Sequence, residues 1–166
     1  PMADGSLRSE NESSFSRYRR VGDGWTVQER SGVQHEFGTT AAARLENNGR
    51  KFAWLLQRTT DTNGNAAEYS YTTDPGSPGQ KYLREVRWAR PDAFYAAVFS
   101  YDSTRPAVHA DFKSGFEVRT GLRLSRIDVI AQGVPPSPTA LVGDFNEDSS
   151  PDSLIRRYEI EYEDPA

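Results

Sequence analysis

The chain reads as an all-β protein, with antiparallel sheets built from successive hairpins and little helix, either sandwich-like or an open shell segment. Three observations carry that reading. Apolar and polar residues alternate over short runs, and almost nothing recurs at helical spacing. Gly, Asn, Asp and Pro punctuate the runs, and these are the residues that tight turns need. The 3 Trp, 8 Tyr and 8 Phe suit half-buried pleated surfaces.

The elements follow in order. Residues 1–14 are polar and expected to be a flexible N-terminal segment. Residues 15–163 are expected to form a single β-rich domain, a piece of a longer protein. Phe15 to Val21, Trp25 to Arg30 and Val33 to Phe37 form a small meander, separated by turns at Gly22-Asp23-Gly24 and Ser31-Gly32. Ala41 to Leu45 fits one helical turn, ended by Asn47-Asn48-Gly49. Phe52 to Thr60 and Ala66 to Thr72 flank Asn63-Gly64, a strong hairpin signal because a type I′ turn needs positive φ at both centres. Read as a two-residue loop, it sets Leu56 opposite Tyr71 and Arg58 opposite Tyr69.

Asp74 to Gly79 reads as a loop. Tyr82, Val86 and Trp88 mark the next strand, and Tyr95, Ala97, Phe99 and Tyr101 the one after. Asp102 to Lys113 reads as a longer connection. From Leu122 to Ile130 the apolar parity switches, which predicts a bulge near Ser125-Arg126. Gln132 to Thr139 is a proline-rich loop, and Ser153 to Glu163 is the last strand. Trp25, Trp54 and Trp88 share the parity of their apolar neighbours, so each is expected in the core. The many arginines, Arg84, Arg87, Arg126 and Arg157 among them, are expected to guard strand edges, the alternative being a patch that docks an acidic partner.

Composition narrows the function. The net charge is -4 over 166 residues, which argues against a nucleic-acid partner. The absence of cysteine excludes disulfides, thiolate metal sites and a cysteine nucleophile. No apolar run reaches the roughly 18 residues of a membrane-spanning helix. No signal-peptide pattern is present. His35 and His109 sit in no recognisable triad motif, and no phosphate-cradling glycine loop occurs.

Six stretches occur in a telling order: FSRYRRVGDGWTVQERSGVQHEFG, FAWLLQRTTDTNGNAAEYSYTTD, YLREVRWA, VFSYDSTRP, SGFEVRTGLRLSRIDVIA and LIRRYEIEYE. Together they resemble the N-terminal region of the SpvB-like and insecticidal toxin complex B-component proteins. The D-x-N-G-N…Y-x-Y block is also similar to a YD/Rhs repeat hairpin. The resemblance implies a secreted, β-rich, non-enzymatic module of a toxin-delivery protein. In toxin B components such a segment belongs to a shell that encloses a toxic payload and docks on a channel. Its implied partners are flanking domains of the same polypeptide and other toxin-complex subunits. In SpvB the enzyme is a separate C-terminal domain, and nothing here resembles it.

One stretch has the pattern of a metal loop. Asp144, Asn146, Asp148 and Asp152 occupy positions 1, 3, 5 and 9 of a calcium loop, with the Ser150 carbonyl at position 7. The segment is also similar to the loop of FG-GAP repeats. Ser149 stands where glycine normally makes the sharp turn. Two readings stay open: a Ca2+ cage, or an acidic turn whose carboxylates cap backbone donors. The first carries an alternative function, a calcium-dependent module that binds glycan or cell-surface protein. Asp61, Asn63, Asn65 and Glu68 also crowd together, but the hairpin turn accounts for them.

Overall fold

A computed structural model describes residues 5–8, 15–90, 93–102, 105–133 and 141–163. The strands are β1 (Arg17–Val21), β2 (Gly24–Gln28), β3 (Gln34–Phe37), β4 (Arg44–Asn47), β5 (Arg50–Trp54), β6 (Leu56–Thr60) and β7 (Ala66–Asp74). They continue with β8 (Ser77–Arg90), β9 (Ala93–Asp102), β10 (His109–Asp111), β11 (Val118–Thr120), β12 (Arg123–Gln132), β13 (Leu141–Gly143) and β14 (Asp152–Glu159). Ten of them form one antiparallel sheet in the order β1-β2-β3-β6-β7-β8-β9-β12-β14-β13. The pairs β4–β5 and β10–β11 stand apart as two-stranded sheets. The all-β reading is therefore correct, but the helical turn expected over Ala41 to Leu45 shrinks to a 3₁₀ turn at Ala41–Ala43, and Arg44 and Leu45 begin β4, whose hairpin to β5 turns at Asn48-Gly49.

Within the N-terminal stretch, Leu7 pairs with Tyr18 of β1 through both backbone hydrogen bonds, at 2.7 and 2.9 Å. Residues 9–14 lie outside the described residues, as does most of the proline-rich loop. Gly24 opens β2 where a Cβ would stand 2.6 Å from the Phe37 carbonyl, so the crossing at β3 requires glycine.

Three expectations about the hairpins need correction. The run Phe52 to Thr60 is two strands. The chain leaves one sheet for another at Leu55, whose N–H donates to Ala43 and whose carbonyl accepts from Gly38. The Asn63-Gly64 hairpin is one residue out of the expected register: Arg58 faces Glu68, and Thr59 faces Ala67. The Asp61 carboxylate accepts from the N–H groups of Asn63 and Asn65, which widens the loop to three residues. Gly64 then takes the left-handed position at φ 86°. The Asp74 to Gly79 loop shrinks to Pro75-Gly76, because Asp74 pairs directly with Ser77. The bulge expected near Ser125 is present, between Leu124 and Arg126 against β9.

Register assigns the faces of the sheet. One row runs Glu36, Arg58, Glu68, Arg87, Ala96, Ile130, Leu154 across seven strands. It starts as a ladder of alternating charge and ends apolar. On that apolar end Phe94, Ala96, Val98 and Ile130 form the core cluster, and Phe145 and Leu154 pack on it. The opposite face carries Trp88 beside Tyr95, then Val86, Ala97 and Val129, then Phe99 and Ile127. Most of these are only half-buried, and Trp88 and Tyr95 are 38% and 37% exposed. Trp88 is therefore not a core residue: no layer of the described chain covers it. Nor do Arg84, Arg87 and Arg126 guard edges, since β8 and β12 are interior strands with neighbours on both sides.

Candidate functional site

The chemistry-bearing residues gather around the loop between β13 and β14. Two tight turns shape it, with Glu147 at φ 61° and Ser149 at φ 69°. Serine thus adopts the left-handed conformation that the spacing assigns to glycine. Asp144 accepts hydrogen bonds from the N–H groups of Asp148 and Ser149, both at 3.0 Å. Asp148 accepts from the Ser150 N–H at 2.9 Å. Asn146 is buried, and its amide donates to Asp148 at 3.1 Å. Asp152 is fully buried and accepts from the Phe145 and Asn146 N–H groups at 2.9 and 3.4 Å.

Two residues that spacing did not single out hold the loop to the sheet. Gln132 on β12 donates one amide nitrogen to Asp148, at 3.0 Å, and to Asp152, at 3.1 Å. Arg84 on β8 donates to the Asn146 carbonyl at 2.7 Å and to Glu147 at 3.2 Å. Phe145 drops between them onto the core cluster. The loop is a clasp over the apolar end of the sheet. Among the described residues no three His, Cys, Asp or Glu side chains form a group suited to a metal ion.

The two inner carboxylates titrate in opposite senses. Burial pushes Asp152 above the ordinary carboxylate range and outweighs its two backbone donors, and the charge of Asp148 adds to the rise. For Asp148 burial also pushes upward, but hydrogen bonds from Gln132, Ser150 and Asn146 outweigh it and hold the group below that range. A raised carboxylate contributes stability in acid that is lost as pH rises through its folded pKa. A depressed one contributes stability above the unfolded pKa that is lost as pH falls through its folded value. Asp152→Asn should therefore match the parent chain in acid and lose little against it at pH 7, because the neutral amide escapes the burial cost that the carboxylate bears there. Asp148→Asn should lose about 1 kcal/mol at pH 7, a discounted charge-assisted hydrogen bond, and converge with the parent in strong acid. Urea titrations at pH 3, 5 and 7 measure both, and parallel behaviour of the two variants would contradict the assignment.

A second cluster lies on the same face. Asp128 is 1% exposed and takes a fork from Arg157, Nε at 2.7 Å and Nη2 at 2.9 Å. Arg126 Nε stands 3.1 Å from the same carboxylate. His35 is held at both ring nitrogens, by Thr59 at 3.0 Å and Glu29 at 2.9 Å. Asp61 is occupied by its own turn. The described polar side chains of these clusters thus hold the chain's own turns and strands.

Fold and site together define an all-β module: one broad antiparallel sheet, clasped by polar loops on one face and apolar on the other. The family model described as Salmonella virulence plasmid 65kDa B protein, SpvB, matches residues 9–96. The chain belongs to the SpvB family. Among solved structures, the N-terminal domain of the effector protein SpvB from Salmonella typhimurium strain LT2 is similar at 20% identity and a TM-score of 0.66. That match covers 95% of this chain and 69% of the SpvB domain. TcdB2-TccC3 is similar at 19% identity and a TM-score of 0.72, covering 96% of this chain but 10% of that one. Its complex with Cdc42 matches in the same way, with a TM-score of 0.71. No curated protein matches the sequence significantly.

Proposed function

We propose that the chain is a non-enzymatic structural module of an exported toxin-delivery protein, contributing one wall of a larger β-shell or docking surface. The carrying observation is the apolar face of the sheet opposite the clasp, where Trp88 and Tyr95 are exposed and Val86, Ala97, Phe99, Ile127 and Val129 lie half-buried on neighbouring strands. A contiguous apolar patch of this kind marks an interaction surface. The likeness to a toxin-complex structure supports flanking domains and other toxin-complex subunits as the partners. The engagement of His35, Asp61 and Asp128 in structural contacts supports a role without turnover.

The chain has no cysteine, so single-cysteine variants report accessibility cleanly. Val86→Cys and Ala97→Cys are expected to react with a maleimide in the isolated chain within about tenfold of Ser70→Cys on the opposite face. In the assembled toxin particle their rates should fall at least tenfold further. Unchanged rates on assembly would remove the proposal.

A second reading, a Ca2+-stiffened clasp at Asp144, Asn146, Asp148, Ser150 and Asp152, is favoured by the left-handed Ser149. It would serve a glycan- or cell-surface-binding role. A rise in melting temperature in millimolar Ca2+ supports it, and no rise removes it.

A further inference from the structure

We infer that the cleft between Arg84 and Arg126, walled on one side by Asn146 and Glu147 of the β13–β14 loop, is a binding site for a small oxyanion, carboxylate or phosphate in class, going beyond the scaffold reading. Arg126 on β12 pairs directly with Ser100 on β9, and Arg84 lies on β8, on the other side of β9. Strands lie about 4.8 Å apart, so with β9 between them the two arginines stand about 10 Å apart at the backbone. Their side chains line one cavity of about 330 Å³, which Thr72 and Thr73 also line. Arginine forks and hydroxyls are what a carboxylate or phosphate recognises.

Local charge favours an anion there. The buried Asp128 carboxylate faces two guanidinium groups, and the Arg157 fork already neutralises it. Arg126 Nε is buried beside that carboxylate without hydrogen-bond geometry. Its Nη2 donates to Ser100 Oγ at 3.3 Å. Arg84 donates to the Asn146 carbonyl at 2.7 Å, and the one carboxylate it pairs with among the described residues is Glu147, whose side chain is 84% exposed. An ion pair that open is weak and displaceable. Around the cavity three guanidinium groups, those of Arg84, Arg126 and Arg157, face two carboxylates, Asp128 and Glu147, and Glu147 occupies the place an incoming oxyanion would take.

The test uses the chain itself, melted at matched ionic strength with sodium chloride, inorganic phosphate or N-acetyl-aspartate. About 20 mM of the better oxyanion is expected to raise the midpoint by about 2–4 °C over chloride. Whichever probe acts more strongly names the source, free phosphate or an acidic side chain. Arg84→Gln should weaken binding at least tenfold, and Glu147→Gln should tighten it about threefold by removing the internal competitor. Glu147 is a surface residue, so its variant keeps the test meaningful even where an arginine variant folds poorly. Equal midpoints in all three salts, or a response that Arg84→Gln leaves intact, would overturn the site.

Discussion

Replacing Asp128 by asparagine is expected to lower stability by about 2–3 kcal/mol, although the change is nearly isosteric. The carboxylate is 1% exposed, receives the Arg157 fork and stands 3.1 Å from the Arg126 Nε as an ion pair. An asparagine amide would present a donor where guanidinium donors already point, and two cations would lose their shared anion. Breaking a fully buried pair costs about 3–5 kcal/mol. The value is lower here because the Arg157 and Arg126 side chains are 31% and 40% exposed, so water replaces part of what is lost. In a chain of this size the loss corresponds to a drop in midpoint of about 5–10 °C. A drop under about 2 °C would mean that water already screens the pair in the native state.

The same network marks the limit of what the sequence reveals. Asp128 and Arg157 lie 29 residues apart, and nothing local announces that they meet. Most strands were legible, because period-two alternation and turn residues are local signals, but β4, β10 and β13 were not, each being only three or four residues long. The bulge at Ser125 was legible too, since a parity switch leaves its trace in the chain itself. The register at Asn63-Gly64 was not. It depends on whether Asp61 captures the N–H groups of Asn63 and Asn65, and one such contact shifts every later side chain to the other face. Of the clasp, the sequence yielded Asp144 to Asp152 by spacing. Gln132 and Arg84 escaped, because their contacts depend on which strands the sheet order brings beside the loop.

Ile130 and Val129 carry the other large expectation, and they separate core from interface. The two are adjacent and both branched at Cβ, and alternation alone treats either parity as a possible core. Pairing puts them on opposite faces: Ile130 faces Ala96 and Leu154, and Val129 faces Ala97 and Arg156. Ile130 is fully buried in the cluster with Phe94 and Val98, under Phe145 and Leu154. Ile130→Ala should therefore leave a cavity and cost about 3 kcal/mol. Val129→Ala, on the uncovered face, should cost about 1 kcal/mol or less, since little packing is lost. Val129→Asp sharpens the contrast. In the isolated chain Arg156 stands directly opposite to receive the charge, so the fold should survive with its midpoint within a few degrees. In the assembled particle the same carboxylate would be buried against an apolar partner, and assembly should fail. Urea melts of the three variants, with co-purification of assembled particles, read all of this. Equal losses for Ile130→Ala and Val129→Ala would mean that both faces are core, and the apolar face would cease to be an interface.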